Sequence, residues 1–473
     1  MGWFARRIGQ PSSPMVRPWA IAGPVLILIL AAPLLRPLRA QSQASDREAI
    51  NLAAVRAVLE NGTLAMDPSA FRHNESAYLA HGKAFTVDSP AFPTVLAGFA
   101  WMIQKAGVEF DTNPLFLEYL LILFAITLPS ALACGFLYRM GRIFEIRRGW
   151  RMLIALACVL ATGWFSYCVV LLPYAPAAAL VVMAAASIIH LVTAKKPALA
   201  VGWIVAGGFC AALAAAIEPT ALWSLLLMPV LILAQPHPWR VRLSGVLLLI
   251  AGAAAPIALH MSINPPITGD FLPPRLHADF FDQSLMPVAM PVSISVSGDD
   301  VEPLDASSWV IIGRAINRLI TLTIGSHGIL SHFPVLLIAL GGAVIILHRH
   351  WTRPIKWLAG GTILAMLGLI LINTGTRTQV GELMFAAPGL LATLPILLLF
   401  SGAWLRRRHH KLVWVLAGIA LSISVGITMI GATAPAPPGG YSGYTAAEAV
   451  ARLLSPKRPL EPAPAQTRAA AIR

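Results

Sequence analysis

Residues 240–262 read RVRLSGVLLLIAGAAAPIALHMS, and this stretch decides the fold. Two arginines, Arg240 and Arg242, precede twenty positions (243–262) that hold no Asp, Glu, Lys or Arg. About 20 apolar residues in a helix cover the roughly 30 Å of hydrocarbon in a bilayer. A barrel strand would need only about 10 residues, alternating in polarity, and the run shows no alternation. Lipid offers no partner to a backbone N–H or C=O, so such a stretch closes its hydrogen bonds within itself, as a helix.

Runs of the same kind recur over most of the chain. Of its 473 residues 57% are hydrophobic and 12% charged, with a mean hydropathy of +0.72. Soluble domains carry about 25% charged residues, so that class is excluded. The net charge of +14 does not point to nucleic acid, because the basic residues form short clusters at the ends of apolar runs, as positive-inside signals do. Cys134, Cys158, Cys168 and Cys210 all fall inside apolar runs, with no CxxC and no neighbouring His or Asp. They read as small buried hydrophobes, and no metal site is expected.

Six basic clusters fix the topology: Arg6, Arg7 and Arg17; Arg139 to Arg151; Lys195 and Lys196; Arg240 and Arg242; Arg349, Arg353 and Lys356; Arg406 to Lys411. Threading helices between them predicts an all-α polytopic bundle of about eleven spans, at 19–36, 116–138, 152–171, 175–194, 198–217, 219–235, 243–262, 332–348, 357–373, 384–400 and 412–431. The N-terminus is then cytoplasmic and the C-terminus outside, in a plasma (inner) membrane protein. Of the 21 acidic residues only Glu145 falls in a predicted cytoplasmic loop. Acids contribute little to topology, so their gathering outside is independent of the rule that placed the helices. It points to chemistry on the outer face.

The expected divisions are a cytoplasmic start and first helix (1–36), an outer loop with interfacial helices (37–115), a bundle (116–262), a second outer loop (263–331), a second bundle (332–431) and a Pro/Ala-rich outer tail (432–473). The run at 91–107 is apolar, but a crossing there would throw the arginines of 139–151 outside. It is therefore expected at the outer interface, where Trp101 and Lys105 are at home; a short crossing with locally inverted topology is the alternative. A cleavable signal ending near Leu38-Arg39-Ala40 is the other reading of the N-terminus, but 19–36 is long for a signal core. In the first outer loop, Ser45-Asp46-Arg47-Glu48 opens a helix with a capping-box pattern. Its apolar stripe is Leu52, Val55 and Leu59, with Asn51 and Arg56 off it, so it is expected on the membrane surface.

The first loop resembles the C-type-fold membrane glycosyltransferases, in particular the branch of protein O-mannosyltransferases and lipid A aminoarabinose transferases. Residues 48–62 (EAINLAAVRAVLENG) resemble the family's acid-led helix, and Phe85-Thr86-Val87-Asp88-Ser89-Pro90 the segment where relatives show Lys-Pro-Pro. Gly207-Gly208 to Ala221, Asn264 to Asp270 and Gly325 to Pro334 are similar to a bacterial branch of the same superfamily. The sequence also departs from the pattern. Arg47 stands where the first acid of a pair is expected, Ser89 where the lysine is, and Gly381 is followed by Glu382 instead of arginine.

The resemblance implies a sugar taken from a polyprenyl-phosphate carrier, with an acid in the first loop as catalyst. Glu48, Asp46 and Asp88 are the candidate catalytic residues. Each has a plainer role: Glu48 as the capping-box partner of Ser45, Asp46 as a first-turn carboxylate favoured by the helix dipole, Asp88 as a turn residue. For binding the donor, His327 could donate to a phosphate oxygen, and Arg314 and Arg318, four apart on one helix face, could grip it. A solvated histidine and two snorkelling arginines are the alternatives. Glu218, before Pro219 in a hairpin between apolar runs, is a fourth binding candidate, since an acid near membrane depth is costly. No cofactor is expected; a divalent ion and the oligomeric state stay open. The partners expected are membrane lipid and the lipid-linked donor. The rival readings are a transporter or lipid flippase, which would be built from two related halves, and a non-catalytic relative.

Overall fold

The charge-free run at 243–262 lies within a helix of 25 residues, Trp239–Ile263, and helices dominate the rest of the described residues. The computed structural model describes residues 18–34, 46–71, 77–193, 197–277, 316–317, 319–320, 322–324, 328–375, 388–407 and 409–433. In chain order the helices are α1 (Pro18–Ala31), α2 (Asp46–Asn61), α3 (Ala91–Lys105), α4 (Pro114–Phe144), α5 (Arg148–Leu160), α6 (Trp164–Tyr167), α7 (Tyr174–Thr193), α8 (Pro197–Ile217), α9 (Pro219–Leu233), α10 (Trp239–Ile263), α11 (Pro265–Thr268), α12 (Ile329–His332), α13 (Leu336–His348), α14 (Arg353–Gly375), α15 (Leu394–Leu405) and α16 (Lys411–Thr433). Among the described residues six helices are long and apolar enough to cross a membrane, those at α4, α7, α8, α10, α14 and α16. Shorter apolar helices stand at α1, α9, α13 and α15. The chain is an all-α polytopic bundle.

The predicted crossing at 152–171 is not one helix. α5 stops at Leu160, and Gly163 takes φ +75°, a conformation open mainly to glycine. A side chain would not fit there either, since a Cβ would lie 2.8 Å from Phe333 Cζ. After α6 the chain runs irregularly to Pro173. Irregular backbone at membrane depth is tolerated only when protein covers it, and every residue from 161 to 173 is buried. Neighbouring helices satisfy the opened backbone. The Gly163 N–H donates to Thr428 Oγ1 at 3.2 Å, Ser166 Oγ to the Thr428 carbonyl at 2.8 Å, and Thr127 Oγ1 to the Cys168 carbonyl at 2.7 Å. Thr127 ends a π-helical turn inside α4, Ile122–Thr127. Such turns often mark functional neighbourhoods.

α8 and α10 pack with their backbones nearly touching. A Cβ on Gly208 would overlap the Leu249 carbonyl, and one on Gly252 the Val205 carbonyl. Small residues at such contacts are the usual device of helix pairs in lipid.

The first loop differs from its sequence reading in two ways. α2 does form over Asp46–Asn61, but its packed face is not the Leu52/Val55/Leu59 stripe. Arg47, Glu48, Ile50, Asn51, Ala54 and Val55 are buried, with Asn51 at 0% exposure, while Leu52 and Leu59 are only half-buried. Polar partners on other elements pull this face inward, which the apolar pattern alone does not reveal. The loop also contains a hairpin, β1 (Ala77–Ala80) with β2 (Lys83–Thr86), turning through His81 and Gly82 at φ +53° and +71°. Two consecutive positive φ values define the tight turn that suits a hairpin's twist.

α3 is two-faced: Phe92, Leu96, Ala100 and Ile103 are buried, Trp101 and Met102 exposed. Both of its ends are tied to α2. Asp88, just before it, is held by Arg47 and Asn51, and Asp111, just after it, accepts from Arg56 Nη2 at 2.9 Å. The two helices therefore run side by side. At the other end of α4 and α5, Arg406 donates to Glu145 at 2.9 Å and Trp150 lies 5.4 Å from Trp414. The basic loops around 145, 350 and 406 thus meet at one end of the bundle.

Candidate functional site

Four stretches far apart in sequence converge beside the start of α2: the first turns of α2 itself, the chain leaving β2, the irregular segment ahead of α7, and the end of α8. Their meeting point is Arg47, which is 3% exposed. Its Nε donates to both oxygens of Asp88, at 2.9 and 3.0 Å, and Nη2 also donates to Asp88 Oδ1. Nη1 donates to Tyr174 Oη at 2.7 Å, and the guanidinium carbon stands 5.2 Å from that ring's centre. Tyr167 meets Tyr174 edge-on at 5.5 Å.

Asp88 is wholly buried and takes a further bond from Asn51 Nδ2 at 2.9 Å. Asn51 Oδ1 accepts from Thr86 Oγ1 at 2.8 Å. Because Arg47 and Asn51 are four apart, one helix face presents both to the same carboxylate. Ser89 Oγ then donates to the Ala216 carbonyl, which fastens the loop to the end of α8.

Glu48 is 3% exposed, and its Oε1 accepts the Leu171 N–H at 2.9 Å. The irregular segment frees that N–H, so the helix break and the glutamate belong to one arrangement. Ser45, the partner expected from the capping box, lies outside the described residues. Glu218 is 1% exposed and caps the turn after α8, accepting from Thr220 N at 3.2 Å and Thr220 Oγ1 at 2.9 Å. Its charge also acts on Arg47. Burial works against the guanidinium's charge, but Asp88 foremost, then Tyr174 and Glu218, outweigh it, and the Arg47 pKa rises above its ordinary value.

Of the residues singled out in the sequence, Asp88 and Glu218 both act on Arg47, and Glu48, next to Arg47 on α2, is buried against the Leu171 N–H. Asp46 opens α2, but its side chain is outside the described residues, as are Arg314, Arg318 and His327. In the sequence Arg47 is only a departure from the family pattern, and nothing local marks Asn51, Tyr174 or the Leu171 backbone. The available signal was the set of polar residues Asp46, Arg47, Glu48 and Asn51 in the first turns of α2. A carboxylate here can take up a proton, and the Arg47 guanidinium, a donor only, can orient an oxygen acceptor. Among the described residues no group of three or more His, Cys, Asp or Glu is arranged to hold a metal ion.

No family model matches the sequence, and no curated protein is detectably similar to it. Solved structures are similar in fold. The archaeal oligosaccharyltransferase AglB of Archaeoglobus fulgidus, held with an inhibitory peptide and a dolichol-phosphate, superposes with a TM-score of 0.54 at 12% identity over 90% of this chain. This chain spans 57% of that enzyme's length. ArnT from Cupriavidus metallidurans in the apo state gives a TM-score of 0.47 at 16% identity, covering 86% of this chain and 64% of its own. The same enzyme bound to undecaprenyl phosphate gives 0.46 at 14%, with the same coverage. The protein therefore has the fold of the C-type membrane glycosyltransferases, as the first-loop resemblance implied. At these identities the likeness speaks for the fold alone.

Proposed function

We propose that the protein is a glycosyltransferase of the plasma membrane that moves a sugar from a polyprenyl-phosphate-linked donor to an acceptor hydroxyl on the outer face. The observation that carries this reading is the buried cluster in which Asp88 and Glu218 act on Arg47 while Glu48, its neighbour on α2, holds the Leu171 N–H, on a fold shared with an oligosaccharyltransferase. In an inverting transfer the acceptor oxygen attacks the anomeric carbon. Its bond to that carbon forms as the carbon–phosphate oxygen bond breaks, and the acceptor proton goes to a carboxylate base. Glu48 is the base in this reading. Asp46 is the second candidate and Asp88 the third, because Arg47 and Asn51 already engage both Asp88 oxygens. The departing phosphate needs cations, a role proposed for Arg314, Arg318 and His327, with Glu218 orienting substrate hydroxyls. α2 and α3 then form the cover over the outer mouth, the N-terminus lies inside and the C-terminus outside.

The test is transfer from a panel of polyprenyl-phosphate sugars by the purified full chain in lipid vesicles. Release of polyprenyl phosphate together with a glycosylated acceptor is expected. Inactivity across a broad panel overturns the proposal. One observation favours a second reading, a non-catalytic relative: the arginine at position 47 claims a carboxylate of the site.

A further inference from the structure

At the end of the bundle away from that site, tryptophans and basic side chains from three loops join into one surface. Trp404 stacks on His409 with ring centres 3.9 Å apart and meets Trp414 at 5.3 Å, which in turn lies 5.4 Å from Trp150. Trp351 packs edge-on against Phe144 at 5.7 Å, and the Arg406 guanidinium stands 6.0 Å from its ring centre. Arg406 also bonds Glu145 at 2.9 Å. These contacts bind the segments 144–151, 349–353 and 404–414 together.

Around this platform Arg147, Arg148, Arg349, Arg353, Arg407 and Lys411 are all exposed. Glu145, the one acid in these loops, is occupied by Arg406. The positive-inside rule needs only cations near helix ends. It does not require them to be gathered on one fixed aromatic platform, nor their sole acid to be neutralised. A basic surface between helix ends, set around tryptophans suited to headgroup depth, matches the phosphate of an anionic phospholipid. We propose that this surface is a binding site for anionic phospholipid headgroups, independent of the transfer site.

The test uses the full chain in nanodiscs that mix dioleoyl phosphatidylglycerol with dioleoyl phosphatidylcholine, with the lipid carried through extraction counted by native mass spectrometry. Phosphatidylglycerol is expected to be retained over phosphatidylcholine. The triple variant R147Q/R148Q/R407Q should lose roughly a hundredfold of that preference, each exposed cation contributing about a factor of five. The variant R147K/R148K/R407K keeps the charge and should keep the preference, which separates lipid binding from misfolding. Equal retention of the two lipids by the native chain overturns the inference. So does an unchanged preference in the glutamine variant. Binding of a polyglutamate peptide with no phosphatidylglycerol preference also overturns it, in favour of an acidic protein partner. None of these measurements involves sugar transfer, so the lipid site stands or falls apart from the proposed activity.

Discussion

Removing the Arg47 charge while keeping a hydrogen-bonding side chain, as Arg47→Gln does, leaves the wholly buried Asp88 carboxylate without its counterion. Breaking one side of a buried ion pair costs about 3–5 kcal/mol, chiefly through the uncompensated charge. Asp88→Asn leaves the opposite charge stranded at a similar cost. In the double variant two neutral amides replace two charges, and most of the loss returns. The double-mutant cycle should therefore show a coupling of at least about 4 kcal/mol, the two single losses less the small remainder in the double variant. Each single change should therefore lower Tm, and the double variant should recover most of that loss. A thiol-reactive dye can report the transition, because Cys134, Cys158 and Cys168 are buried until the bundle opens. The raised Arg47 pKa adds a second mark. A cation whose pKa rises on folding contributes its full stability below its unfolded pKa. The arginine side should thus give a flat profile from about pH 6 to pH 10, well under arginine's own range. Additive losses within about 0.5 kcal/mol would refute the coupling.

Three further outcomes are expected. Glu48→Gln should reduce sugar transfer about 100-fold or more with little loss of folded protein, since the glutamine oxygen still accepts the Leu171 N–H; full activity in that variant, with Asp46→Asn or Asp88→Asn inactive, would leave Glu48 a structural residue. Gly208→Ala pushes a methyl into the Leu249 carbonyl and should cost about 1–3 kcal/mol, read as a lower Tm with the same dye; a neutral result would mean that α8 and α10 sit further apart. Cysteine labelling in intact cells should find 139–151 and 403–411 protected and 270–310 and the tail beyond 432 reactive; an external label at 139–151 would require α3 to cross.

The bundle was legible because lipid imposes a length and a purity on each helix, as at 243–262. The break at 161–173 was not, because its support comes from Thr127, Thr428 and Phe333, remote in sequence and unremarkable locally. Glu48 and Asp88 drew attention through the first-loop resemblance, and Glu218 as an acid in a costly place. The residues that gather them, Arg47, Asn51 and Tyr174, take their meaning from contacts across 37 to 127 positions, and no local pattern encodes those. His81-Gly82 between two short apolar stretches was a readable hairpin signal.

The reach of these contacts also sets an order of assembly. Arg47 finds Tyr174 127 residues further on, Ser89 finds Ala216 at the same separation, and Ser166 waits 262 residues for Thr428. In the proposed topology, a chain threaded into the membrane from its N-terminus delivers α2 to the outer side well before α7 or the end of α8 exists. During that interval Arg47, Glu48 and Asp88 stand in water, where their charges are cheap to hold. They are withdrawn from it only as the later helices arrive. The site is then among the last parts of the molecule to form, and a nascent chain halted before Tyr174 would present an open, hydrated first loop with no site at all.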